Sequence, residues 1–238
     1  MKISKEKQAK IKAKILKVAV QLISKNGYKK TSMSKIAKKS EIGEATIYNY
    51  FPTKEHIIYE YYYELQSKTK EILIQTKEFN TFTLKEQLQL LFNTQIELLD
   101  EEFVKEIYQE LFYMSVSINH PAFLKGNDEF ISMIGQLIDI SIEADEIEDF
   151  AFNGTIKHLF LDYYFAIVYY WLNDKEDNDE NKDNTTVMID KSLDIVYGVL
   201  QSGLIPKIES LFAFVIKTHI LNAIKPINGN FGSKKEFK

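Results

Sequence analysis

The sequence contains neither cysteine nor arginine. Without cysteine there is no disulfide framework, no cysteine-based zinc site and no thiol nucleophile, which fits a reducing cytoplasm. Without arginine all 30 basic residues are lysine, so the bidentate guanidinium contact to guanine is excluded from any recognition scheme. Proline (four) and glycine (nine) are scarce in 238 residues, and long periodic stretches of Leu, Ile, Lys, Glu and Ala run between them. That pattern predicts helices joined by short loops. Long apolar runs are missing too. The most apolar stretch, Tyr163 to Leu172, is about half the ~20 residues a bilayer requires, and Asp162 stands at its start. The N-terminus, MKISKEKQAKIKAKILKVAV, is basic but lacks the apolar core and cleavage site of a secretory signal. Phosphate-cradling glycine loops, a Gly-x-Ser-x-Gly elbow and a two-histidine metal motif are also absent, and the four histidines are scattered. The chain is therefore expected not to be an enzyme and to need no cofactor or metal.

What is present is strongly polarised. Residues 1–54 hold 14 lysines against Glu6, Glu41 and Glu44, a charge of +11, while the remainder carries −15. Such a split suggests that the first segment meets a polyanion while the rest does something else. Ile11, Ile15, Val18, Ala19, Leu22 and Ile23 recur at helical spacing and stop at Asn26-Gly27, predicting a helix over 5–25. Thr31-Ser32 can cap a short helix carrying Ile36 and Ala37. A turn through Glu41, Ile42 and Gly43 leads into a second short helix with Ile47 and Phe51 four apart. Two short helices about a tight turn, over 33–52, read as helix-turn-helix. Pro52 ends the second, and Thr53 is placed to cap a helix of roughly 36 Å from Lys54 to about Lys77. Further helices are predicted over 84–101, 103–118, 121–143, 148–173, 185–202 and 206–225.

In the second short helix, Gly43, Ala45 and Thr46 are small enough for deep entry into a major groove. Thr46 can meet a thymine methyl, Asn49 can pair with adenine, and Tyr48 and Tyr50 can reach phosphates. By charge alone, a solvated basic face explains the lysines as well.

The run TSMSKIAKKSEIGEATIYNYFPTKEHI at 31–57, with the upstream Asn26-Gly27-Tyr28, resembles the DNA-binding segment of the TetR (tetracycline-repressor) family of bacterial regulators. The correspondence lies in the capping Thr31, the Ile36-Ala37 pair, Thr46-Ile47-Tyr48, Tyr50-Phe51 and Lys54-Glu55. Two departures stand out: Glu41 occupies a turn position usually held by glycine, and Gly43-Glu44 replace the frequent Ser-Lys. The resemblance implies an all-α fold. A three-helix helix-turn-helix DNA-binding domain over 1–53 would precede a helical effector-binding and dimerisation domain over 54–225 and a flexible tail over 226–238. It implies DNA contacts from Thr31, Ser32, Gly43, Glu44, Ala45, Thr46, Tyr48, Asn49, Tyr50 and Lys54, with Thr31 and Lys54 on backbone phosphates. It further implies a cytoplasmic homodimer, nucleoid-associated when bound. Such a dimer would repress from a palindromic operator and be released by a small apolar effector. The rival reading is a ligand-free architectural or protein-interaction dimer with the same head.

The C-terminal part carries nine aromatics in the 22 residues from Phe150 to Trp171, too many for one helix face. Burial on several sides, including against a second subunit, is expected. Phe165, Tyr169, Ile189, Leu193, Val196, Tyr197 and Leu200 are the expected dimer residues. Phe112, Tyr113, Met114, Phe130, Met133 and Tyr164 are the candidate lining of an effector pocket, with plain core packing as the alternative. The acidic run at 173–184 lacks the glycine and glutamate that a calcium loop requires, and reads as a solvated connection.

Overall fold

The computed structural model describes residues 4–101, 105–113, 121–174 and 184–220, and every regular element among them is helical. The expected tail over 226–238, Met114 and most of the acidic run lie outside the described residues.

The first helix, α1 (Lys5–Asn26), is capped by Ser4, whose hydroxyl accepts from the Lys7 N–H. It stops where Gly27 takes φ 83 and donates its N–H to the Ile23 carbonyl. Its buried stripe of Ile15, Leu16, Ala19, Val20 and Ile23 carries the fold of the head. Against that stripe packs α2 (Met33–Lys39), and α3 (Glu44–Ile47) packs on α2; they contribute Ile36, Ala37 and Ile47, with Phe51 closing the cluster at 2% exposure. The α-helical part of the second short helix is only four residues long. Tyr48 to Phe51 continue it as a turn, with the Phe51 N–H donating to the Ile47 carbonyl. Pro52 then breaks the path.

From Thr53 the chain enters α4 (Lys54–Gln75), 22 residues or about 33 Å long. The Thr53 hydroxyl bonds the His56 ring at 2.9 Å and caps no backbone N–H. A 3-10 turn (Phe79–Thr81) leads to α5 (Leu84–Glu101), α6 (Lys105–Tyr113), α7 (Pro121–Glu143), α8 (Asn153–Asn173), α9 (Asn184–Gln201) and α10 (Leu204–Val215), which runs into a π turn (Ile216–Ile220). Helix α4 belongs to both halves: it leans on α1 and is embedded against α7 and α5. Gly126 makes the close approach of α7 possible, because a Cβ there would collide with the Tyr62 ring.

The larger half closes over an aromatic core in which Phe130 stacks on Tyr164 at 5.0 Å and Phe92 meets Tyr163 edge-on at 5.1 Å. A buried amide pair crosses it, with Gln95 Nε2 donating to Gln66 Oε1 at 2.6 Å. Helix α8 starts at Asn153, five residues later than predicted. The Ala151 and Phe152 N–H groups donate to the Glu209 carboxylate on α10 at 2.7 and 2.5 Å, which holds the preceding segment in an irregular path.

Three of the expected dimer residues need correction. Ile189, Leu193 and Leu200 turn into the chain's own core where α9 packs on α5. Phe165 is half-buried beside Phe123, and Val196 and Tyr197 are half-buried too, with the Tyr197 hydroxyl donating to Glu146 at 2.7 Å. The Tyr197 phenol is pushed up to about 12 by burial and by that carboxylate. Of the set only Tyr169 is well exposed. The outward apolar residues are instead Leu159 and Tyr170 on α8, Val187, Ile195 and Val199 on α9, and Leu204, Ile208, Leu211 and Phe212 on α10. The apolar stripe of α9 through Ile189, Leu193 and Leu200 faces inward.

Candidate nucleic-acid interface

The two short helices meet through a hydrogen-bonded turn. The Glu41 N–H donates to the Lys38 carbonyl at 3.2 Å and the Ile42 N–H to the Ala37 carbonyl at 3.1 Å. This pair of bonds terminates α2 as a Schellman motif, which places Glu41 in the left-handed region at φ 58. The turn thus imposes on Glu41 the conformation that glycine adopts most easily, which explains why glycine is usual there. Glu41 is also ion-paired to Lys14 of α1, and that contact holds its carboxyl below the usual carboxylate range.

The turn aims α3 outward. Glu44, Ala45, Thr46, Tyr48 and Asn49 are exposed, Tyr50 is half-buried, and Ile47 and Phe51 face the core. Gly43 sits at the N-cap with φ −63, so its importance is spatial. A Cβ there would lie 3.1 Å from the Thr46 hydroxyl oxygen. Ser32 is the N-cap of α2, accepting from the Lys35 N–H at 3.3 Å. Lys29, Lys30, Lys35, Lys38 and Lys39 are exposed around this surface.

Thr31 departs from expectation. Its side chain is buried at 1% exposure, and its hydroxyl lies 3.1 Å from the Leu22 carbonyl and 3.0 Å from the Gly27 carbonyl, to which it donates. The hydroxyl is engaged in holding the α1–α2 connection rather than presented to a phosphate. Lys54 is likewise drawn inward. Its ammonium donates to the Tyr28 carbonyl at 2.5 Å and the Thr31 carbonyl at 2.8 Å, and lies 3.7 Å from the Tyr28 ring centre. Burial lowers its pKa. Beside it the Tyr28 phenol donates to Glu55 at 2.6 Å; burial and that carboxylate push the phenol up. Burial alone would raise Glu55, but the bonds from Thr53 and Tyr28 outweigh it and hold the carboxyl low. Lys12 of α1 adds an ion pair to Glu60 at 2.5 Å. The sequence placed Lys54 and Glu55 at a helix start. Their bonds to Tyr28 and Thr31 join residues more than 20 positions apart, and no local pattern announces them.

Three residues of the expected effector lining are described. Phe130, Met133 and Tyr164 are buried core, and the Tyr108 and Tyr164 hydroxyls face each other at 3.5 Å. The side chains of Phe112 and Tyr113, like Met114, lie outside the described residues. A groove of about 660 Å³ lies elsewhere, between α1 and α4, walled by Leu16, Val20, Tyr61 and Leu65 and edged by Lys17, Glu64, Lys68 and Glu71. Among the described residues no group of three or more potential metal ligands converges, and no single helix is long and apolar enough to cross a membrane.

A basic three-helix head that presents a short outward segment, continuous with a long helix entering a second helical half, defines a helix-turn-helix DNA-binding regulator. Residues 15–61 match the family model described as bacterial regulatory proteins, tetR family, so the head of this chain is similar to the DNA-binding segment of those transcriptional regulators. Among curated proteins it is 28% identical over 141 residues to the fatty acid metabolism regulator protein of Bacillus subtilis (strain 168), covering 57% of this chain and 70% of that relative. Among solved structures it resembles a putative TetR-family transcriptional regulator from Syntrophomonas wolfei (TM-score 0.61, 22% identity, 79% of this chain and 95% of the other). It also resembles FadR from Bacillus subtilis in complex with stearoyl-CoA (TM-score 0.56, 21% identity, 78% of this chain and 97% of the other). These likenesses span both helical halves and are to regulators rather than enzymes.

Proposed function

We propose that the protein is a homodimeric repressor that binds a palindromic operator and is released by a long-chain acyl-CoA. The observation that carries this reading is the shared helix α4. Its first residue clamps the α1–α2 connection through Lys54, and its later residues Tyr62 and Gln66 are embedded in the core of the larger half. Expansion of that core around an acyl chain moves α4, and α4 carries the head. A dimer reads half-sites in successive major grooves, ~34–36 Å apart, so a change in head separation weakens binding to both. The ligand acts only through unequal affinity for the two conformations. The relative named as a fatty acid metabolism regulator and the neighbour bound to stearoyl-CoA support the effector class. The outward apolar residues of α8 and α9, including Leu159, Ile195 and Val199, supply the surface for the second copy. Ser32, Gly43, Glu44, Ala45, Thr46, Tyr48, Asn49 and Tyr50 form the DNA face. Lys54 shapes it from behind.

The test is a fluorescence-anisotropy titration on an operator recovered by genomic-fragment selection. Stearoyl-CoA is expected to displace the protein at concentrations where free CoA does not. Equal displacement by both, or by neither, would sink the effector assignment.

A further inference from the structure

We propose that Glu44 is a specificity-determining residue that selects cytosine in each operator half-site, and that the rest of the half-site read by α3 is composed of A·T pairs. The proposal rests on the reading of the head as a sequence-specific DNA-binding element.

The argument starts from what the reading surface can donate and accept. Its exposed side chains are Glu44, Ala45, Thr46, Tyr48 and Asn49, and neither arginine nor lysine is among them. Guanine shows only acceptors, N7 and O6, in the major groove and is selected chiefly by cationic forks. A surface without cations has no means to favour it strongly. The side chains present suit the other bases. The exposed amide of Asn49 has the donor and acceptor that match adenine N6 and N7. Ala45 offers a methyl. The Thr46 hydroxyl is turned back towards Gly43, where a Cβ would stand 3.1 Å away, leaving its γ-methyl for thymine.

Glu44 is the exception that adds a constraint. Its carboxylate is exposed and enters no ion pair or hydrogen bond among the described residues. Glu41, three residues earlier, is neutralised by Lys14. An unpaired carboxylate carried towards DNA is repelled by phosphates and by the acceptor edges of guanine and thymine. Contact becomes favourable only where it accepts from an exocyclic amine, and cytosine N4 is the donor a carboxylate takes. The residue therefore acts twice, attracting one base and discouraging nonspecific binding.

The experiment is selection from a random duplex library with the full chain, in parallel for wild type, Glu44→Ala and Glu44→Gln. Thermal unfolding is run on each variant to confirm that the exposed position leaves the fold intact. Wild type is expected to recover half-sites of A·T pairs with one oriented C·G pair. Glu44→Ala should lose roughly tenfold of the preference at that pair while binding unrelated DNA more tightly. Glu44→Gln should move the preference there to adenine, which a side-chain amide pairs in two places. Two or more fixed G·C pairs in each α3-contacted half-site, or an unchanged cytosine preference in Glu44→Ala, would overturn the proposal. If wild type shows no sequence preference at all, the sequence-specific reading beneath it fails instead.

Discussion

The two halves of this protein use their side chains in opposite directions. In the head the lysines and the reading residues face water, and a small core of Ile15, Ala19, Ile23, Ile36, Ile47 and Phe51 serves only to aim them. In the larger half the interior carries the chemistry. Tyr62, Tyr108, Tyr164, Gln66 and Gln95 are all fully buried or nearly so, and their polar ends are satisfied within the core. A surface that binds a polyanion keeps its charges solvated, whereas a packed interior keeps the polar groups it buries paired. Helix α4 is the element that belongs to both.

The contrast can be broken most severely at Phe51. Phe51→Ala should cost about 3–5 kcal/mol of head stability and abolish DNA binding, read by denaturant unfolding and by gel shift. Retention of both would mean that the head core is not organised around this ring. At the opposite surface, Ile195→Asp should place a charge on the outward face of α9, where the side chain is 70% exposed, and convert a dimer to monomer in sedimentation without loss of helix content. A variant that stays dimeric would remove α9 from the interface.

Within the large core, Gln95→Leu should cost about 1–3 kcal/mol, because it leaves the Gln66 amide buried without its partner. Adding Gln66→Leu should recover part of the loss, since it removes the orphaned amide but also takes the Gln66 contact from the buried Tyr164 hydroxyl. A double variant worse than the single would show that the pair serves more than its own hydrogen bonds. Lys54→Ala should cost about 1–2 kcal/mol in the absence of DNA by releasing the Tyr28 and Thr31 carbonyls. It should leave the salt dependence of DNA binding unchanged; a slope smaller by about 0.9 would return Lys54 to phosphate contact. The smallest effect is expected at the turn. Glu41→Gly relieves a left-handed residue but frees the unfolded chain and drops an exposed ion pair, so the net change should be a small gain in the denaturant midpoint. A fall in the midpoint would mean the Lys14 contact matters more than the backbone.

Much of the head was legible because its signals are local. Asn26-Gly27, Ser32, the Ile36-Ala37 pair and Pro52 each act within one turn of helix, and the structure has the helix ends there. The helices over 84–101 and 121–143 were likewise readable from apolar period and from Pro121. What failed did so for tertiary reasons. The stripe on α9 was correctly periodic, yet period does not say which neighbour it faces, and α5 took it. The start of α8 was misplaced because a carboxylate 58 positions away, Glu209, captures the Ala151 N–H. Thr31 and Lys54 fitted an exposed binding pattern, but the carbonyls that hold them come from chain segments that only folding brings alongside.

The sequence by itself determined the helical class, the basic head and the letters of the reading surface, since periodicity, charge and punctuation are properties of neighbours along the chain. Only the tertiary structure decided which of those letters face outward. Orientation about a helix axis is set by what packs against it, and so it left Glu44 free in solvent while turning Thr31, Lys54 and the α9 stripe inward.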